Sequence, residues 1–132
     1  MPNPKLTTPT LPVAGYVNES ATTVSEGMGV VAGSVEGGCT LGAANATAIG
    51  VVALSTEAEQ GQVASVHIGH GGTCYLRSGA AFAAYAQLTL AANGRWVTCT
   101  SGQKIQAIAL GAAAAADELI AAIRCDGLSV TA

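Results

Sequence analysis

The stretch QLTLAANGRWVTCT, Gln87–Thr100, decides how the rest of the chain is read. Asn93-Gly94 stands between two runs of alternating polarity. Both central residues of a type I′ turn need positive φ, and Asn-Gly supplies that at little steric cost. A two-residue turn at Asn93 and Gly94 sets Ala92 opposite Arg95, Leu90 opposite Val97 and Leu88 opposite Cys99. One face is then Leu88, Leu90, Val97 and Cys99. The other is Gln87, Thr89, Thr98 and Thr100, with Trp96 opposite Ala91. The expected element is an antiparallel hairpin with one apolar and one polar face.

Similar signals recur outward from this hairpin. Ile49–Leu54 reads as a buried strand. Gln62–Gly69 alternates, with Val63, Ser65 and His67 on one face and Ala64, Val66 and Ile68 on the other. Gly69-His70-Gly71-Gly72 then predicts a second hairpin into Thr73–Leu76. Glu57–Gly61 reads as a charged turn and Gly37-Gly38 as a tight one. Val24–Val35 reads as weak β-structure broken by Gly27, Gly29 and Gly33. Phe82 and Tyr85, at helical spacing, predict a short helical turn over Ala80–Ala86. Lys104–Leu110 alternates as a strand. Ala112–Ala116 has high helix propensity, so Leu110–Ile123 reads either as one helix or as a turn followed by a strand over Leu119–Cys125. The second reading is preferred. Asp126-Gly127 predicts a further turn. Short strands with frequent turns predict an all-β domain, a small β-barrel or β-sandwich.

Composition narrows the function classes. Of 132 residues, 50% are hydrophobic but only 4% aromatic and 10% charged, with a net charge of −3. Small apolar side chains bury little area each, and so few charges protect a free surface poorly. Both features suit a protein covered by partners. Lys5, Arg77, Arg95, Lys104 and Arg124 form no basic stripe, so a direct nucleic-acid partner is not expected. No run is long and apolar enough for a membrane helix, and no signal peptide is expected. Cys39, Cys74, Cys99 and Cys125 are then read as reduced, buried thiols.

All four prolines lie in the first twelve residues. Residues 1–13 therefore read as an extended Pro/Thr-rich arm, and residues 14–132 as one β-rich domain. Pro4, Lys5, Leu6, Pro9, Leu11, Pro12 and Val13 are its expected docking residues. For chemistry, the sequence offers no phosphate loop, dinucleotide fingerprint or nucleophile elbow. His67, His70 and Cys74 are the one weak candidate metal set, since zinc accepts such ligands. No partner motif supports them, and no cofactor or catalytic residue is expected.

These segments together resemble the small capsid decoration, or cement, proteins of tailed bacteriophages. The likeness runs through Ile49-Gly50-Val51-Val52, Gly61-Gln62-Val63-Ala64-Ser65-Val66, the Gly69–Gly72 turn and Leu88–Trp96. It continues through Lys104–Leu110, the alanine run Ala112–Ala116 and Leu119–Arg124, and departs at Asp117-Glu118, where a small residue is usual. The resemblance implies a non-enzymatic β-barrel or sandwich that forms a homotrimer. It implies a place on the outer capsid surface of a virion made in a bacterial cytoplasm, with the major capsid protein as partner and arms reaching over neighbouring coat subunits. It favours the turn reading of Ala112–Ala116. Another virion module, such as a head fibre, tail or baseplate part, is the first alternative; a small metal-dependent enzyme is the second.

Asn93→Pro is expected to destabilise the fold by more than about 1 kcal/mol, because proline cannot take positive φ. Unchanged thermal melting of this variant would speak against the turn.

Overall fold

Alternation and glycine punctuation build a chain made almost wholly of strands. The structure, a computed structural model, describes residues 10–131. The strands are β1 (Val13–Asn18), β2 (Val24–Ser25), β3 (Gly29–Ala32), β4 (Gly38–Leu41), β5 (Gly50–Val52) and β6 (Glu57–Ala58). They continue as β7 (Val63–Ile68), β8 (Thr73–Arg77), β9 (Gln87–Leu90), β10 (Trp96–Thr98), β11 (Ala107–Ala109) and β12 (Leu119–Arg124). The fold is all-β. Strands β1-β4-β3-β5-β7 close a barrel, and β10-β9-β11-β12-β8 form a second sheet. The short pair β2-β6 stands beside them. All barrel pairings are antiparallel except β1 with β4.

Two cores follow from the pleat. Val24, Val30, Cys39, Val52, Ala64 and Val66 fill one, inside the barrel. The other lies where the outward side of β5 meets the second sheet: Val51 packs with Leu76, Leu88, Leu90 and Trp96. The alternation expected in β7 is present. Ala64 and Val66 are buried, and Val63 and Ser65 are exposed.

The Asn93-Gly94 hairpin forms, but its register differs by one residue from the expected one. Trp96 faces Leu90, and Thr98 faces Leu88. The turn has three residues, Ala92–Gly94, with Asn93 at φ 59° and Gly94 at φ 70°. A one-residue slip exchanges the faces of a strand. Here it carries Trp96, expected on the polar side, into full burial. Burying the largest side chain of the hairpin outweighs local turn preference, at roughly 25 cal/mol per Å².

Three further expectations are corrected. Gly69–Gly72 does not close a hairpin: β7 pairs with β1 and β5, and β8 pairs with β12. The turn instead carries the chain from barrel to second sheet. Ala80–Ala86 holds no helical turn; Phe82 makes an antiparallel bridge to Ala113, and Tyr85 sits at φ 65°. Glu57–Ala58, expected within a turn, pairs as β6 with β2. The preferred reading of Leu110–Ile123 holds. The alanine run bridges and turns, Asp117 takes φ 65°, and β12 runs Leu119–Arg124.

The barrel and second sheet meet closely because glycines line the junction. A Cβ on Gly29 would strike Leu90 and would lie 2.9 Å from Trp96 Cζ2. The Gly94 N–H donates to the Gly42 carbonyl at 3.0 Å, and the Asn45 N–H donates to Leu90 at 2.8 Å. Gln106, also buried, accepts from the Ala48 N–H through Oε1 at 2.9 Å and donates to the Ala46 carbonyl at 2.7 Å. Arg124 lies over Trp96, its guanidinium carbon 5.4 Å from the ring centroid, and donates to the Gln106 carbonyl at 3.1 Å. Cation–π attraction offsets part of the desolvation of this buried charge.

Beyond β1, Glu19 holds the β3–β4 turn. Its carboxylate accepts from the Ser34 hydroxyl at 2.6 Å and the Ser34 N–H at 2.9 Å. These bonds hold the Glu19 pKa below its ordinary value.

Gly29→Val is expected to destabilise by about 1–3 kcal/mol through overpacking; denaturant unfolding with an unchanged midpoint would contradict the junction. For Glu19 the depressed folded-state pKa sets the sign. Its contribution is present above the unfolded-state pKa and is lost as pH falls through the folded value. Glu19→Gln should therefore flatten the acid limb of a melting-temperature profile below about pH 4.5, and a parallel profile would refute that role.

Candidate functional site

The outward side of the barrel is divided by what covers it. Around β5 it lies under the second sheet, which buries Val51 completely. Along β1 and β7 it is open. The register sets Val13 beside His67, Gly15 beside Ser65 and Val17 beside Val63. Facing residues share a side of the sheet, so these six make one continuous patch. Val63 is 66% exposed, Val13 54% and Val17 37%. No Asp, Glu, Lys or Arg stands among the six. Alternation put Val63, Ser65 and His67 on one face of a strand, and the barrel leaves that face to solvent. An ordinary soluble surface places charges at such positions.

The patch runs at the His67 end into a cleft of about 490 Å³ between barrel and second sheet. Thr10, Val13, Leu54, His67, Thr73 and Tyr75 are on its wall. Leu54 and Tyr75 remain 47% and 45% exposed there. The cleft therefore combines apolar side chains with a few neutral polar groups.

The candidate metal set does not come together as one site. Both His67 and Cys74 border the cleft, but His67 Nδ1 lies 2.8 Å from the Leu11 carbonyl. A carbonyl only accepts, so this bond places a proton on Nδ1. His70 is exposed in the turn after β7. Burial pushes the Cys74 thiol up to about 11, which keeps it protonated at neutral pH and a poor nucleophile or ligand. Among the described residues, no three His, Cys, Asp or Glu side chains are grouped to hold a metal ion. The cysteines are free thiols, and Cys39, Cys74 and Cys99 are buried.

Of the expected arm, Pro4, Lys5, Leu6 and Pro9 lie outside the described residues. Leu11 is buried in the core between the sheets, and its N–H donates to the Thr73 carbonyl at 3.2 Å. The Pro12 carbonyl accepts from the Ile68 N–H at 3.0 Å, and Val13 opens β1. These three expected docking residues are integral to the domain. The sequence signal was available: Leu11 and Val13 are apolar and two apart, a strand period carried through proline. Leu54 and Tyr75 were not anticipated as site residues, because their neighbours come from distant segments. Asn93 and Gly94 are turn residues, as expected.

No protein-family model matches the sequence, and no curated protein matches it either. Among solved structures the fold is similar to the head fiber gp8.5 N base in bacteriophage phi29. The TM-score is 0.69, over 87% of this chain and 96% of that one, at 12% sequence identity. At that identity the likeness is one of fold. Among the described residues, no helix is long and apolar enough to cross a membrane.

Proposed function

We propose that this protein is a non-enzymatic structural component of a phage virion, seated on the outside of the head as a homotrimer. It contacts the major capsid protein through the β1–β7 face. One observation carries the reading: a fold shared along nearly the whole of a phage head fiber base presents an apolar, uncharged patch that its own second sheet leaves open. Burial of Val13, Val17 and Val63 against coat protein supplies a favourable hydrophobic term. Many identical weak contacts on a lattice then add by avidity. The action is mechanical: a decoration protein clamps the seams between coat subunits.

The base of a head fibre is the second reading, and the same fold likeness favours it. A metal-dependent enzyme using His67, His70 and Cys74 has no such support, since His67 is engaged by Leu11 and the Cys74 thiol stays protonated.

The test combines sedimentation of the purified protein with pelleting on isolated heads of its phage. Three protomer masses and saturable pelleting are the expected result. Val63→Lys should leave stability within about 0.5 kcal/mol, as for a surface site, and weaken head binding at least tenfold. Unaltered binding of both Val63→Lys and Val17→Lys would overturn the assigned face.

A further inference from the structure

Among the described residues, strand β8 is incompletely paired on one side, and the gap has an identifiable cause. On the β12 side, the Gly71 N–H donates to the Arg124 carbonyl, the Arg124 N–H to Gly72, and the Ser78 N–H to Glu118. Antiparallel alternation then turns the N–H and C=O of Cys74 and Leu76 toward β12. Those of Thr73, Tyr75 and Arg77 point the opposite way. There the Thr73 carbonyl accepts from Leu11 at 3.2 Å, and the Arg77 N–H donates to Gly27 at 2.9 Å. Between them, the Tyr75 N–H and C=O have no partner among the described residues. Thr10 pairs with Thr73 in parallel, but by Pro12 the chain has crossed to Ile68 of the barrel. It leaves β8 before reaching Tyr75. The vacated place is the apolar cleft lined by Val13, Leu54 and Tyr75.

A free backbone donor and acceptor beside apolar walls is the recognition surface for one extended peptide strand. We propose that this cleft receives the N-terminal segment of a second copy of this chain, residues 1–9, with Lys5–Thr8 beside Tyr75. Nine residues precede Thr10, which sits on the rim of the cleft. At about 3.1 Å per residue they span roughly 28 Å. Pro2, Pro4 and Pro9 lack an N–H, and Lys5, Leu6, Thr7 and Thr8 form the one run of four consecutive non-proline residues in the segment. Leu6 is the apolar side chain within that run and fits the Leu54–Val13 wall. Thr10 already lies against Thr73 and the same copy's chain leaves β8 after it, so the strand at Tyr75 is assigned to another molecule. The exchange rests on the homotrimer proposed above and supplies its contact, leaving Val17 and Val63 of the β1–β7 face for coat protein.

The experiment places a benzophenone amino acid at Leu6 of the full-length chain and irradiates the purified protein without heads. Mixing isotopically labelled and unlabelled protein separates cross-links between copies from those within one copy. The expected result is a cross-linked oligomer ladder, with attachment mapped to the Leu54 or Tyr75 peptide between copies. Leu54→Glu should reduce that yield at least fivefold while leaving the circular dichroism melt unchanged. Attachment within one copy, attachment elsewhere on the surface, or cross-linking only after heads are added would each overturn the proposal. Pelleting on heads is scored separately, so loss of the exchange and loss of the virion reading are distinguishable.

Discussion

The packing of Trp96 against the backbone of Gly29 is the contact on which the rest of the architecture depends. It allows the second sheet to lie directly on the barrel, with Leu90 on the same glycine and Val51 beneath. The indole is fully buried and forms one wall of the site that holds the Arg124 guanidinium. With one tryptophan and one phenylalanine in the chain, the junction cannot rely on many large side chains. Close backbone approach at glycines replaces bulk with intimacy, and dispersion contacts fall off quickly when such a gap opens.

That junction also determines which surface is free. The second sheet covers the outward side around β5 and stops short of β1 and β7. Val13, Val17 and Val63 are therefore exposed by the placement of a sheet rather than by their own polarity. The cleft arises at the same boundary, where the chain passes from Thr10 on β8 to β1 on the barrel and, among the described residues, leaves Tyr75 of β8 unpaired. A patch and a cleft of this kind, both without formal charge, fit a protein whose work is to be covered. The low charge content of the whole chain points the same way. The architecture is shared with a phage head fiber base, a likeness of fold.

Buried polar groups follow the same logic of placement. Gln106 is buried because its amide satisfies both Ala46 and Ala48, tying the loop before β5 to β11. His67 is half-buried because Leu11 supplies an acceptor. The histidine that sequence spacing proposed as a ligand is thus a clasp for the entering chain, and Cys74 beside it is a packed thiol.

Much of the local structure was legible from residues alone. Strong alternation placed β7 and its two faces, Asn93-Gly94 placed a turn, and glycine punctuation predicted short strands in a barrel or sandwich. These are nearest-neighbour effects: side chains alternate every residue, and positive φ is a property of single positions. Register was decided by tertiary structure, because only the barrel offers Trp96 a glycine-lined seat and that burial outweighs the two-residue turn. Partner choice for β7 and β8 was decided there too, since Gly69–Gly72 permits a hairpin and a crossover equally. The same holds for Leu11, whose burial needs both sheets, and for the open face and cleft, which exist only where one sheet ends on another. Local chemistry determined that this chain would be strands; long-range packing decided which strands meet and what surface they leave uncovered.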